Sequence, residues 1–238
     1  MSGGIATIVF ARFDSSRLPG KVLREIAGRP MLGRVLDRLR MAGRAGRIVV
    51  ATSDRPTDDP VASYADTQGV ACFRGDIDDV AGRALACAED AGAARFVRIS
   101  GDSPFIDPVL LDEMIALHET SGAEITTNLH PRSFPPGVSV EVIETATMRR
   151  MVGAIETDDE REHVTLGFYR NAESYRIVNH AARDDRFAGT TLVVDTAEDL
   201  RKATWITERL GASPESASLA QVVGLARQWQ ETAAGAAS

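Results

Sequence analysis

Three cations, two hydroxyls and a glycine crowd one short segment near the start of the chain: Ala11-Arg12-Phe13-Asp14-Ser15-Ser16-Arg17-Leu18-Pro19-Gly20-Lys21. Arg12 and Arg17 offer forked guanidinium donors, Lys21 a compact ammonium, and Ser15 and Ser16 hydroxyls. Gly20 lets the backbone come close to whatever sits there. Together they suit a polyphosphate such as a nucleoside triphosphate. A solvated basic turn is the plainer alternative for the same residues. The segment is neither a Walker A loop nor a Gly-x-Gly-x-x-Gly turn, which disfavours P-loop hydrolysis and dinucleotide binding. Lys21 and Lys202 are the only lysines in a chain that otherwise uses arginine for positive charge, so an ammonium at position 21 stands out.

Two aspartates are candidates for a metal. Asp102 follows an expected strand, Arg95–Ser100, and Asp195 ends another, Thr191–Asp195. Mg²⁺ is usually held by one or two carboxylates together with substrate phosphates and water. Each residue also has a local explanation: Asp102 as a turn residue ahead of Pro104, Asp195 as the cap of a helix opening at Glu198-Asp199. Asp107, just before Pro108, reads as a helix cap.

The elements that must position these residues alternate. Short β-branched runs at Ile5–Ala11, Arg47–Thr52, Ala71–Phe73, Arg95–Ser100 and Glu124–Thr127 are separated by helical periodicity, as in Met31, Leu32, Val35, Leu36 and Leu39. Alternation of this kind predicts a parallel sheet with covering helices, whose ligands bind beyond the strands' carboxyl ends. After about residue 128 prolines interrupt the rhythm. Val138–Ile143 alternates like an antiparallel strand, helices are expected over 144–153 and 160–171, and a strand pair at Tyr175–Asn179 and Thr191–Asp195. The single domain is thus expected to carry an inserted lobe over about 129–190. Two helices are expected within about 198–232, the second from Pro214, with fraying beyond Glu231.

The chain has 238 residues, enough to bury a full core, and a formal net charge of -7. An acidic protein has no general attraction for nucleic acid or anionic membrane, so neither is expected as a partner. Cys72 and Cys87 are too few for a disulfide framework and form no zinc motif. No apolar run approaches the roughly 20 residues of a membrane span and no signal peptide is evident, so a cytoplasmic protein is expected.

The first loop also resembles the Arg-x-x-Ser-x-Arg-x-Pro-Gly-Lys signature of cytidylyltransferases that make CMP-activated sugar acids, including the CMP-3-deoxy-manno-octulosonate (KDO) synthetases. The branch named after spore-coat polysaccharide biosynthesis protein F is the most similar. The likeness runs on through Gly28-Arg29-Pro30-Met31, Ala51-Thr52-Ser53, Phe73-Arg74-Gly75-Asp76, Asp78-Asp79-Val80 and Arg98-Ile99-Ser100-Gly101-Asp102-Ser103-Pro104. It then continues through Arg161-Glu162-His163-Val164-Thr165 and Val194-Asp195-Thr196-Ala197-Glu198-Asp199-Leu200. Two positions differ: Asp14 replaces a residue that is often small, and Ser100-Gly101-Asp102-Ser103-Pro104 stands where KDO synthetases read Gln-Gly-Asp-Glu-Pro.

The resemblance implies a Rossmann-like, three-layer α/β nucleotidyltransferase fold (GT-A-like), mostly parallel, with a small lobe for acceptor and dimer contacts. It implies CTP as donor, Mg²⁺ on Asp102 and Asp195, and an acidic acceptor such as a sugar acid. Arg12, Arg17 and Lys21 would neutralise the phosphates, with Ala11, Ser15, Ser16 and Gly20 completing the loop. Further nucleotide contacts are expected from Thr52, Arg74, Asp79 and Arg83, and acceptor contacts from Asn128, Arg132, Arg161 and His163. His163 could equally serve local hydrogen bonding. A homodimer built through Phe134 to Ile143 is also implied. The expected reaction is direct in-line transfer, since no Ser/His/Asp or Cys/His set presents itself. A glycosyltransferase would usually show an Asp-x-Asp motif, and Gly101-Asp102-Ser103 is not one. A non-catalytic nucleotide sensor, and a transferase acting on a phosphonate or other non-sugar acceptor, stay open.

Overall fold

The computed structural model describes residues 4–182, 187 and 189–236. Ile8 and Val9 explain the centre of the fold. Neighbouring residues on a strand face opposite sides of a sheet, and both of these are fully buried, so helices must cover both faces. They lie on β1 (Ile5–Phe10), which pairs in parallel with β4 (Arg47–Ser53) on one side and β6 (Arg95–Ser100) on the other. The seven-stranded sheet runs β5-β4-β1-β6-β8-β7-β9, with β5 at Ala71–Gly75, β7 at Ile125–Thr127, β8 at Glu141–Glu144 and β9 at Ile177–Asn179. β5, β4, β1 and β6 are parallel, β8 is antiparallel to both β6 and β7, and β9 is parallel to β7.

One face packs on α1 (Met31–Met41), α2 (Asp59–Thr67), α4 (Pro108–Ser121), α8 (Ala197–Leu210) and α9 (Leu219–Ala236). The other packs on α3 (Val80–Asp90), α5 (Thr145–Val152) and α7 (Leu166–Arg170), with α6 (Asp158–Glu162) between the last two. This is the expected Rossmann-like α/β/α sandwich. A short hairpin, β2 (Glu25–Ile26) with β3 (Arg29–Pro30), links the first loop to α1. Neither that hairpin nor α2 was expected from the sequence.

Two buried charges tie the last helices to the first half. Arg38, 2% exposed, donates to the carbonyls of Pro214 and Ala217 at 2.9 and 2.7 Å, and also to that of Ile106. Asp107 caps α4 as expected, accepting from Val109 and Leu110, and its other oxygen accepts from Leu219 N at 2.9 Å. That last bond holds the start of α9, which opens at Leu219 after a 3-10 turn (Pro214–Ser216) and not at Pro214. The helix persists through Ala236, past the point where fraying was expected.

Differences from expectation concentrate after residue 128. The segment over about 129–190 gives β8 and β9 to the main sheet. Thr191–Asp195 makes no strand: Leu192 N and Val194 N donate to the carbonyls of Pro136 and Asp102, at 2.7 and 3.0 Å. Those two N–H groups go to loop carbonyls instead of a ladder. The expected 160–171 helix breaks into α6 and α7 at His163-Val164-Thr165, where β-branched residues disfavour helix. Phe134, Val138, Val140, Val142 and Ile143 are buried in the chain's own core, so their side chains are not free to build a dimer surface.

Candidate active site

Four strands present their carboxyl ends on one edge, and the first loop folds over it. Gly20 takes φ +68, a left-handed conformation that favours glycine, and its N–H donates to Phe13 O at 3.0 Å. The loop is also anchored from beneath. Asp58, 1% exposed, accepts from Phe13 N at 2.6 Å with one oxygen and from Ser53 N at 3.0 Å with the other. Burial alone would raise the Asp58 pKa; hydrogen bonds from Ser53 and Phe13 reverse that and hold it below the ordinary carboxylate range. Asp58 was not anticipated, because it lies on a different strand end from the loop it fixes. The β6 loop packs equally closely: a Cβ on Gly101 would sit 2.9 Å from both Phe10 O and the Ala11 Cβ, so only glycine fits.

On this base the charges converge. Lys21 Nζ donates to Asp102 Oδ2 at 2.8 Å and to Asp195 Oδ1 at 2.6 Å. Arg17 reaches Asp195 Oδ2 at 3.0 Å, and Ser100 Oγ donates to Asp102 Oδ1 at 2.7 Å. Burial opposes the Lys21 charge, but Asp102 and Asp195 outweigh it and hold its pKa above the usual lysine value. Asp195 is not a helix cap: Thr196 caps α8, in a reciprocal capping box with Asp199. The two carboxylates therefore close around a cation, which is the donor set a hard divalent ion takes when phosphate oxygens and water complete its shell. Among the described residues no three His, Cys, Asp or Glu side chains gather as a metal site, so protein ligands alone would leave such an ion incomplete.

The cleft above them has a volume of about 470 Å³. Ala11, Arg12, Ser15, Ser16, Arg17, Lys21, Arg83, Asp102, His163 and Asp195 line it, a set drawn from the two loops, α3, the break before α7 and the segment before α8. A second chamber of about 270 Å³ shares Phe10, Val80, Arg98, Glu162 and His163 with it and adds Thr165 and Tyr169 among its walls.

Other expected residues are elsewhere. Thr52 is fully buried in β4 and lines neither chamber. Arg74 braces the β4–α2 connection, donating to Ser53 O at 3.0 Å and Arg55 O at 2.7 Å, with Asp59 2.7 Å away. Asp79 caps α3 through Gly82 N at 2.8 Å, and its other oxygen is 3.7 Å from Arg161. Asn128 does not face a ligand: fully buried, it accepts from Val140 N and donates to Val138 O, both at 2.9 Å, in place of a strand partner. Arg132 donates to Ser139 Oγ at 3.3 Å and lines neither chamber.

Sequence reasoning also missed a polar cluster at the back of the second chamber. Arg98 Nη1 donates to Glu141 Oε2 at 3.2 Å; Thr165 Oγ1 donates to the same oxygen at 3.3 Å, and Tyr169 donates to Oε1. Thr127 Oγ1 lies 2.8 Å from the Tyr169 hydroxyl. The available signal was a charge flanked by apolar residues inside each of two strand-like runs, Arg98 between Val97 and Ile99 and Glu141 between Val140 and Val142.

A conserved-family model described as "Cytidylyltransferase" matches residues 6–182, and the chain belongs to the cytidylyltransferase family, a family of nucleotidyltransferase enzymes. It is 33% identical over 219 residues to the spore coat polysaccharide biosynthesis protein SpsF of Bacillus subtilis, covering 89% of each chain. It is 37% identical over 112 residues to the 3-deoxy-manno-octulosonate cytidylyltransferase of Geobacter sulfurreducens, covering 47% of this chain and 44% of that one. A solved cytidylyltransferase from Leptospira borgpetersenii serovar Hardjo-bovis superposes with a TM-score of 0.89 at 26% identity, covering 96% of both chains. A CMP:2-keto-3-deoxy-manno-octonic acid synthetase solved with CTP shares the fold, with a TM-score of 0.67 at 18% identity, covering 87% of this chain and 99% of that one. Among the described residues no helix is long and apolar enough to cross a membrane.

Proposed function

We propose that the chain transfers CMP from CTP to a hydroxyl of an acidic acceptor, a sugar acid or a related compound, and releases pyrophosphate with Mg²⁺ present. The observation that carries the reading is Lys21 held between Asp102 and Asp195 at the head of a cleft that Arg12, Arg17 and Arg83 also line. Two relatives support it: the 3-deoxy-manno-octulosonate cytidylyltransferase of Geobacter sulfurreducens and the spore coat polysaccharide biosynthesis protein SpsF. By analogy, synthesis of a surface polysaccharide is the pathway this reading favours.

The β- and γ-phosphates are received by Arg12, Arg17 and Lys21, which hold their charges before the ligand arrives. In-line attack forms a bond from the acceptor oxygen to the α-phosphorus, as the hydroxyl proton passes to water, and breaks the bond to the bridging oxygen; pyrophosphate carries off the electron pair. Lys21 and Arg17 stabilise that leaving charge, and the loop keeps attacking and leaving groups aligned. Asp102 and Asp195 would hold the Mg²⁺, whose contribution when bound is charge neutralisation at the reacting phosphate. The side chains that fix geometry are Asp58, beneath the loop, and Ser100, on Asp102.

The test is thermal unfolding with CTP, UTP, ATP and GTP, each with and without Mg²⁺, followed by a pyrophosphate-release assay. A ligand at about 100 times its Kd adds roughly 2.7 kcal/mol, well within reach of the scan. Selective stabilisation by CTP is expected. Response to a different triphosphate would move the donor, and response to none would remove the reading.

A further inference from the structure

We propose that the acceptor's acidic group is received by Arg98 in the second chamber, with the buried Glu141 as the positioning residue that aims it. The proposal rests on the cytidylyl-transfer reading and puts the acceptor in a chamber walled by His163, one of the four residues expected to contact it, but not by Asn128, Arg132 or Arg161. With the nucleotide in the larger cleft, an acceptor must bring one hydroxyl to the α-phosphate while its remaining atoms lie outside that volume. The chamber of about 270 Å³ meets this condition, since Phe10, Val80, Arg98 and His163 belong to both spaces. Arg98 and Asp102 also leave the same strand end, which puts the anion-binding group and a reaction-centre carboxylate on one rigid support.

Charge decides what the chamber prefers. Glu141 is 0% exposed, and its oxygens are committed to Arg98, Thr165 and Tyr169. Burial, then Glu141, pushes the Tyr169 hydroxyl far above the usual tyrosine pKa, so Tyr169 stays a donor to that carboxylate. Glu141 therefore has little hydrogen-bonding capacity left for a ligand. Arg98 spends one N–H on Glu141 out of the five a guanidinium carries, and its buried Nε has no hydrogen-bond partner in the protein. Arg98 is thus the guanidinium on the chamber wall, paired with Glu141 and with N–H groups still to give. A carboxylate presented by the acceptor takes the free donors of Arg98, a geometry guanidinium serves better than ammonium.

The experiment is calorimetric titration of the CTP-loaded full chain, with chelator present to prevent turnover, using 3-deoxy-manno-octulosonate and glucuronate beside their methyl esters. The expected result is binding of at least one acid, with its ester at least about tenfold weaker. Arg98→Gln should weaken that acid by about 10- to 100-fold, the scale of a lost charge-assisted hydrogen bond, and Arg98→Lys by less. Glu141→Gln should raise KM for the acid about tenfold with kcat little changed, since it loosens the aim of Arg98 and leaves the reaction centre alone. Thermal stabilisation by CTP should be unchanged in Glu141→Gln, whose side chain lines neither space, which separates acceptor recognition from unfolding. Equal binding of acid and ester, wild-type binding by Arg98→Gln, or binding of neither acid by a protein that CTP still stabilises would overturn the proposal. Loss of CTP binding in the wild type would instead remove the reading beneath it, and the proposal with it.

Discussion

The two chambers are built from opposite materials. On the nucleotide side the charges stand on a loop and reach outward: the Arg17 and Arg12 side chains are 66% and 46% exposed. At the back of the second chamber Arg98 rises from a central strand, its carboxylate partner is sealed inside, and the supporting hydroxyls come from β7, the α6–α7 break and α7. An exposed charge is screened and repositions at little cost, whereas a buried one keeps its direction because every partner must move with it. The comparison teaches a division of labour: adaptable charge where a flexible triphosphate enters, fixed charge where an acceptor must be told apart from its neighbours.

Mutations at the reaction centre should break that division most severely. Asp102→Asn is expected to abolish Mg²⁺-dependent turnover in a pyrophosphate-release assay while the circular dichroism spectrum stays that of the wild type. Lys21→Ala should cost about 10²-fold or more in rate, the scale for one preorganised charge partner, and Arg17→Ala less because Arg17 is largely solvated. Removing the ammonium should also free the aspartate pair. Lys21→Met is therefore expected to bind Mn²⁺ without nucleotide about tenfold more tightly than wild type by electron paramagnetic resonance, within the usual range of site coupling. An unchanged Mn²⁺ affinity would show that Lys21 does not stand in for the metal.

Smaller effects should come from the supports. Asp58→Asn should destabilise the fold by about 1–3 kcal/mol in urea at pH 7, the cost of disturbing a buried hydrogen-bonded group. Because the folded Asp58 pKa lies below its unfolded value of about 3.9, its contribution is present above that pH and is lost as the pH falls through the folded pKa. The gap between variant and wild type should accordingly narrow in strongly acidic buffer. Arg74→Ala should change CTP stabilisation and turnover by less than about twofold, since its guanidinium is engaged by Ser53, Arg55 and Asp59. A large loss would return Arg74 to the nucleotide site.

What could be read in advance follows from how each region is encoded. The phosphate loop is contiguous, so Arg12, Ser15, Arg17 and Lys21 announce themselves together, and Asp102 and Asp195 sit at ends of apolar runs that periodicity finds. The parallel half of the sheet was legible for the same reason. The Arg98–Glu141–Tyr169 cluster draws on three separate elements, and no local pattern links residues 43 positions apart. Asn128 misled for a related reason: a polar residue in a loop looks like a ligand group until its partners, two backbone groups of a neighbouring strand approach, are known. Thr191–Asp195 has strand composition, yet loop carbonyls at Pro136 and Asp102 took the bonds a ladder would have used.

The partners of Arg38 and Lys21 also carry a message about the order in which the protein can be made. Arg38 waits for carbonyls 176 and 179 positions further along, and Lys21 for Asp195, 174 positions on. A chain emerging from the ribosome can lay down β1, α1 and β4 early, but it buries a guanidinium and leaves an ammonium half-matched until the final helices arrive. Nascent protein should therefore stay protease-sensitive and chemically silent through most of its synthesis, and become compact and competent in one late step.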